Sequence, residues 1–274
     1  MPSQELRDRP LRGRPFPPGK LHPNLYAAEL IGTALLVSAG VSMVIINFGQ
    51  GSPVPLLLPD AGARRFITGA LFGSIAALVT VSPIGKISGA HLNPAVTLAF
   101  WLEGKLAGRD ALFYALAQFV GGILGAVPLL AWGPIGWSIE FGATQPGSGY
   151  PISIALLGEV GVTFLLVMTT FTAAAHKRTR RWTPATIPVL FSVLVWLEAP
   201  LSGTSANPAR SLGPAMIANV TAGQWIYLVG PLLGSALAVA VLRLELVGLR
   251  RVSAARLFHF HMDDHNGPKK HVRS

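Results

Sequence analysis

Cysteine is absent from all 274 residues. That excludes a disulfide framework, a thiol nucleophile and a thiolate metal site, and it leaves the redox compartment open. Charge is scarce too. Only 12% of the residues are Asp, Glu, Lys or Arg, about half of what a soluble domain of this size carries. Acidic residues are the rarer sign, 12 against 22 basic, for a net charge of +10. Such an excess could mark a nucleic-acid partner. However, 51% of the residues are hydrophobic and long stretches carry no charge. The chain reads as an integral membrane protein, and its basic residues need an explanation in those terms.

Six apolar stretches read as membrane spans: about Leu25–Phe48, Phe66–Val81, Ala111–Trp132, Ile152–Ala175, Pro184–Ala199 and Trp225–Leu246. Residues 1–24 are a basic, proline-containing tail. The apolar stretch after them outruns the roughly 7–15-residue core of a secretory signal, which predicts a retained first span. Residues 133–151 are a Gly- and Pro-rich loop with no Lys or Arg, and residues 247–274 a second basic tail. With both termini cytoplasmic, the two tails, Lys86, Lys105, Arg109, Arg243 and the basic turn at residues 177–181 all fall inside. Only Arg64 and Arg65 fall outside, and Arg210 lies at depth. The positive-inside rule thus accounts for the charge without nucleic acid. The expected location is the plasma or inner cell membrane, with lipid as the surrounding partner.

Between the second and third spans, and again between the fifth and sixth, lie two related stretches. They are Ser-Gly-Ala-His-Leu-Asn-Pro-Ala-Val-Thr at 88–97 and Ser-Gly-Thr-Ser-Ala-Asn-Pro-Ala-Arg-Ser at 202–211. Asn93 and Asn207 are favoured N-caps, and Pro94 and Pro208 fit the first helical position, where no N–H is needed. Each helix so begun has only about half the length required to cross a bilayer. Pro-Ala follows in both, as Pro94-Ala95 and Pro208-Ala209. The repeat extends to the first and fourth spans, where Glu29, Thr33, Leu35, Leu36 and Val37 echo Glu159, Thr163, Leu165, Leu166 and Val167. Each half, about 25–132 and 152–246, then holds three spans. An odd number forces the halves into opposite orientations, and broken helices meeting at the midplane of such a repeat mark a permeation site.

Irregular backbone survives at membrane depth only where it lines water or is buried in protein. The expected acceptor ladder is the carbonyls of Gly89, Ala90, His91, Gly203 and Ser205. The two half-helix N-termini bring roughly half a positive charge each, Asn93 and Asn207 offer N–H donors, and Arg210 adds a full charge at the mouth. That arrangement would repel cations and protons while neutral solutes pass. Glu29 and Glu159, ionisable residues inside spans, are functional candidates on that ground. They are expected to accept hydrogen bonds from the re-entrant loops. An ion-coupled transporter would use the same two carboxylates to bind ions, and the residues leave that reading open. A membrane enzyme finds no nucleophile or metal ligands at the midplane. A junction protein with a closed pore is a further alternative.

The paired Asn-Pro-Ala motifs, the Arg after the second, and the Glu-bearing first and fourth spans resemble the aquaporin/major intrinsic protein family over about residues 25–246. The resemblance implies an all-α hourglass fold of six spans and two re-entrant half-helices, a pore through each protomer, a homotetramer, and no cofactor. It also implies a four-residue selectivity filter. Counting back from the Asn residues puts this filter at Gly73, Val195, Thr204 and Arg210, with Phe72 the neighbouring candidate to Gly73. A Gly and a Val there resemble the solute-passing, nodulin-like branch, which takes glycerol, urea or uncharged metalloid acids. Ser211 and Ala215 resemble strict water channels instead, while Leu228 departs from them. His91 and the tail group His259, His261, Asp263, Asp264 and His265 are the candidate metal ligands, but no metal site is expected. The tail group reads as solvated.

Overall fold

The long apolar stretches become helix, several of them opened by Pro, Asn or Asp. The computed structural model describes residues 21–176, 178–244, 252 and 254–259. Readings that fall on residues 1–20 and on His261 to His265 lie outside them. The helices are α1 (Pro23–Phe48), α2 (Val54–Leu57), α3 (Ala61–Val81), α4 (Pro83–Ser88), α5 (Pro94–Leu102), α6 (Gly108–Ala126), α7 (Gly133–Trp137), α8 (Ile152–Ala175), α9 (Thr183–Ser202), α10 (Pro208–Ile217) and α11 (Ile226–Arg243). A 3-10 segment (Val127–Trp132) joins α6 to α7. Six helical stretches, those starting at Pro23, Ala61, Gly108, Ile152, Arg180 and Ile226, are long and apolar enough to span a membrane. Their outer faces carry apolar side chains such as Leu78, Leu157 and Val189, each more than 60% exposed. Such surface needs lipid or another protein against it.

Two spans differ from the sequence reading. Helix α3 starts at Ala61 rather than Phe66, because the Asp60 carboxylate accepts the Ala63 N–H at 2.6 Å and caps it. This places Arg64 inside the helix, where its guanidinium donates to the carbonyls of Leu58 and Pro59 at 2.7 and 2.8 Å. Helix α9 runs past Ala199 and through Pro200 to Ser202. Its last turn is the repeat partner of α4, which in the first half is broken off by Ser82 and Pro83.

The helix contacts repeat as well. Helix α1 packs on α3 and α6 as α8 packs on α9 and α11, α5 packs on α11 as α10 packs on α6, and α3 packs on its own partner α9. Exchanging the halves therefore maps the contacts onto themselves, as an inverted repeat requires. Small residues permit the closest crossings. A Cβ on Gly121 would lie 2.3 Å from the Leu30 carbonyl oxygen, and one on Gly234 would lie 2.3 Å from that of Val160. At the next position the halves diverge. Gly122 sits where a Cβ would be 2.2 Å from the Ala209 oxygen, whereas the Ser235 hydroxyl donates to the Ala95 oxygen at 2.6 Å.

Candidate permeation site

Helices α5 and α10 supply nine and ten residues, about half a membrane crossing each. Their N-termini meet at Asn93 and Asn207. Each Asn side-chain oxygen caps its own helix: Asn93 Oδ1 accepts from Ala95 N–H at 2.8 Å, and Asn207 Oδ1 accepts from Ala209 and Arg210 N–H at 3.0 and 3.3 Å. Each amide nitrogen reaches across the centre. Asn93 Nδ2 donates to the Ala206 carbonyl at 2.7 Å, and Asn207 Nδ2 to the Leu92 carbonyl at 2.9 Å. One hydrogen of each amide is thereby used. The second is left for the small cavity of about 50 Å³ that both Asn residues line, room for one or two waters. Pro94, Ala95, Pro208 and Ala209 are buried behind them.

The approach loops carry matched strain. Gly89 and Gly203 have φ of 94° and 83°, Ala90 and Thr204 58° and 51°, and Leu92 and Ala206 53° and 50°. Left-handed backbone costs a non-glycine residue about 1–2 kcal/mol, so these loops need outside support. The two glutamates provide it. Glu29 accepts His91 N–H at 3.0 Å and Leu92 N–H at 2.7 Å, and Gln118 Nε2 donates to it at 2.7 Å. Glu159 accepts Ser205 and Ala206 N–H at 2.7 and 2.8 Å and the Ser202 hydroxyl at 2.6 Å. Both are fully buried, neither lines a cavity described here, and every oxygen has a donor. They are scaffolding rather than groups on the path.

Not every predicted carbonyl faces that path. Ala90, His91 and Ser205 line the central cavity and Gly203 the wider one next to it. Gly89 lines neither, because its oxygen accepts the Leu257 N–H at 3.1 Å. His91 is occupied on both ring nitrogens. Its Nδ1 faces the Thr97 hydroxyl at 3.2 Å, and its Nε2 faces the Ala255 carbonyl at 3.1 Å and must donate there.

The wider cavity, about 350 Å³, is lined by Val195, Thr204 and Arg210, together with Phe72. Gly73 does not reach it. A Cβ there would lie 2.6 Å from Pro188 Cα, so this glycine is spent on letting α3 and α9 approach. Of the two neighbouring sequence candidates, Phe72 is the one that lines this cavity. The extra helix α4 lies between α3 and Asn93, and it defeats a count of residues back from that Asn. Phe72 and Phe191 line both cavities and stack at 6.0 Å between centroids, which places them at the junction.

Arg210 is 4% exposed. Its Nη1 donates to the Gly142 carbonyl at 2.9 Å, and its guanidinium carbon sits 5.8 Å from the Phe72 ring centre. Sequence reasoning missed both Gly142 and Glu198. A backbone carbonyl in a loop has no residue signature. Glu198 had one, an ionisable residue inside a span. The Thr204 hydroxyl donates to Glu198 Oε2 at 2.5 Å, and Oε1 has no hydrogen-bond partner among the described residues. Thr204 thus commits its only donor behind the cavity and offers lone pairs to it.

The comparisons with known proteins fit this geometry. The major intrinsic protein family model matches residues 23–242. The probable aquaporin TIP2-1 of Oryza sativa subsp. japonica is 39% identical over 219 residues, covering 78% of this chain and 84% of that protein. Aquaporin-4 of Mus musculus is 35% identical over 218 residues; the match covers 78% of this chain and 65% of that protein, slightly under two thirds of its length. The probable aquaporin NIP-type of Nicotiana alata is 32% identical over 210 residues, 76% of this chain and 72% of that protein. The X-ray structure of the aquaglyceroporin from Plasmodium falciparum matches with a TM-score of 0.66, over 79% of this chain and 93% of that one. At 19% identity it speaks to the fold alone.

Proposed function

The chain belongs to the major intrinsic protein family, whose members are passive channels and not enzymes, and from that premise we propose that it conducts water together with small uncharged solutes. The observation that carries this reading is the composition of one cavity wall. Phe72 and Val195 are apolar, Thr204 offers an acceptor and Arg210 offers donors. A neutral solute with both hydroxyl or amide hydrogens and lone pairs is served by that wall, while a cation meets Arg210 and two half-helix N-termini. We read Val195 as the residue that leaves room for glycerol, urea or an uncharged metalloid acid. The orientation with both termini cytoplasmic rests on the charge asymmetry. A plasma or inner membrane setting is read from the apolar spans, and a homotetramer is carried from the family resemblance.

Phe72 supports a second reading, a strictly water-selective pore, because an aromatic ring stands where a glycine was expected. Stopped-flow flux into proteoliposomes with water, glycerol and urea in parallel separates the two. Under the first reading all three exceed protein-free vesicles. Water alone exceeding them establishes the second. Equal flux with and without a proton or sodium gradient is expected in both, and gradient dependence would restore the transporter.

Within the first reading, Glu198→Ala frees the Thr204 hydroxyl to donate as well as accept. An amide hydrogen entering from urea then loses a fixed acceptor. One hydrogen bond is worth about 0.5–1.5 kcal/mol net, so the urea-to-water permeability ratio is expected to fall roughly two- to tenfold. An unchanged ratio removes Glu198 from solute selection.

A further inference from the structure

Beyond the permeation path, a piece of the C-terminal tail is not solvated. Val252 and residues 254–257 are buried, Leu257 at 5% exposure and Ala255 at 4%. All of these but Arg256 are apolar, and four contacts from the segment seat it on the first re-entrant loop and the helix ends before it. Leu257 N–H donates to the Gly89 oxygen at 3.1 Å. His91 Nε2 donates to the Ala255 oxygen at 3.1 Å. Arg256 Nη1 donates to the Lys86 oxygen at 2.9 Å. His259 Nε2 faces the Val81 oxygen at 3.1 Å. The fit is close: a Cβ on Gly89, already at φ 94°, would lie 2.5 Å from the Ala255 oxygen.

The seat is on the path itself. Leu257 lines the same cavity of about 50 Å³ as His91, Asn93, Val96 and Asn207. On the far side of the centre the cavity at Arg210 is about 350 Å³. The cavity at Arg210 is thus the larger of the two, and the tail supplies part of the wall of the smaller one. Three of the four contacts use carbonyls that end α3 and α4 or begin the loop after them. In the second half the equivalent face is covered by the loop before α8, whose Gly147 N–H donates to the Leu201 oxygen at 2.8 Å. A Cβ on the equivalent glycine, Gly203, would lie 3.5 Å from Thr144, and Gly203 lines the wide cavity. The halves thus differ in what covers them, a loop between spans on one and the tail on the other.

We propose that Val252 and residues 254–259 belong to a strap across the tail-side mouth, and that Leu257 restricts permeation when the strap is seated. The proposal rests on the channel reading above. His91 is the hinge between the two: the same ring touches Thr97 beside the Asn-Pro-Ala motif and Ala255 in the strap, so lifting the strap also releases a residue of the pore wall. Restriction by a segment of the same chain is reversible without covalent chemistry, because it depends on a few hydrogen bonds and a small set of buried apolar side chains.

Two measurements on the full chain test it. In the first, Leu257→Ala is compared with the unaltered chain for water permeability per reconstituted protein. A severalfold rise is expected. In the second, the natural absence of cysteine gives a clean background for Leu257→Cys, read by the rate of labelling with a membrane-impermeant maleimide. The reference is Arg178→Cys at an exposed position. Seating predicts labelling about an order of magnitude slower at 257, speeded by adding Arg256→Ala. Equal labelling rates at 257 and 178 overturn the strap whatever the flux. Slow labelling with unchanged flux in Leu257→Ala overturns the restriction. If no variant passes water above protein-free vesicles, the channel reading has failed, and the labelling rate still decides whether the strap is seated.

Discussion

Glu159→Ala is expected to yield no folded channel. The side chain holds two backbone N–H groups and one hydroxyl, from Ser205, Ala206 and Ser202, in a site fully removed from solvent. Each buried donor left without an acceptor costs about 1–3 kcal/mol. Three such losses are comparable with the roughly 5–15 kcal/mol by which proteins are stable at all. The loop they hold is strained at Thr204 and Ala206, and nothing else described fixes the Ala206 amide. Glu159→Gln is the informative partner. It retains one acceptor oxygen and turns the other into a donor facing donors, so partial loss is expected. Size-exclusion profiles in detergent and unfolding temperatures check both variants. Glu159→Ala unfolding at the temperature of the unaltered chain would show that the loop is held some other way. Glu29→Ala should behave similarly, with Gln118 losing its acceptor too.

Why were these glutamates readable while other members of the site were not? Glu29 and Glu159 are a costly residue type in the same register of both halves, and repetition in sequence reports repetition in space. The Asn caps are likewise local: the residue type, the following Pro and the helix they start lie within a few positions. The filter is assembled from parts far apart, and there register failed. Phe72 and Gly73 differ by one position, and which faces the cavity depends on the rotation of α3 against α9 and on the interposed α4. No count along the chain contains that rotation. Glu198 was legible by the rule that singled out Glu29, but it has no twin in the other half to draw attention to it. The Gly142 carbonyl, and in the strap the Leu257 N–H and the Ala255 carbonyl, bind through backbone, and backbone groups are the same at every residue.

Arg210→Ala is expected to open the channel to charge. The guanidinium is buried at the wide cavity, anchored by the Gly142 carbonyl and held beside Phe72. A monovalent cation passing at about 5 Å meets it with roughly 3 kcal/mol of repulsion at an effective dielectric constant near 20, about a hundredfold in rate. The half-helix N-termini at Asn93 and Asn207 remain in the variant, so part of the barrier persists. Arg210→Lys separates charge from shape. It keeps the repulsion but loses the planar fork, so its cation leak should stay near that of the unaltered chain while its solute ratios change. Proton and potassium flux in proteoliposomes under an imposed potential, beside the water flux of the same vesicles, reads both effects. A cation leak in Arg210→Ala no greater than in the unaltered chain would shift ion exclusion wholly onto the central dipoles. In that case Glu159, which supports the loop leading into one of them, would be the more decisive residue for selectivity as well as for folding.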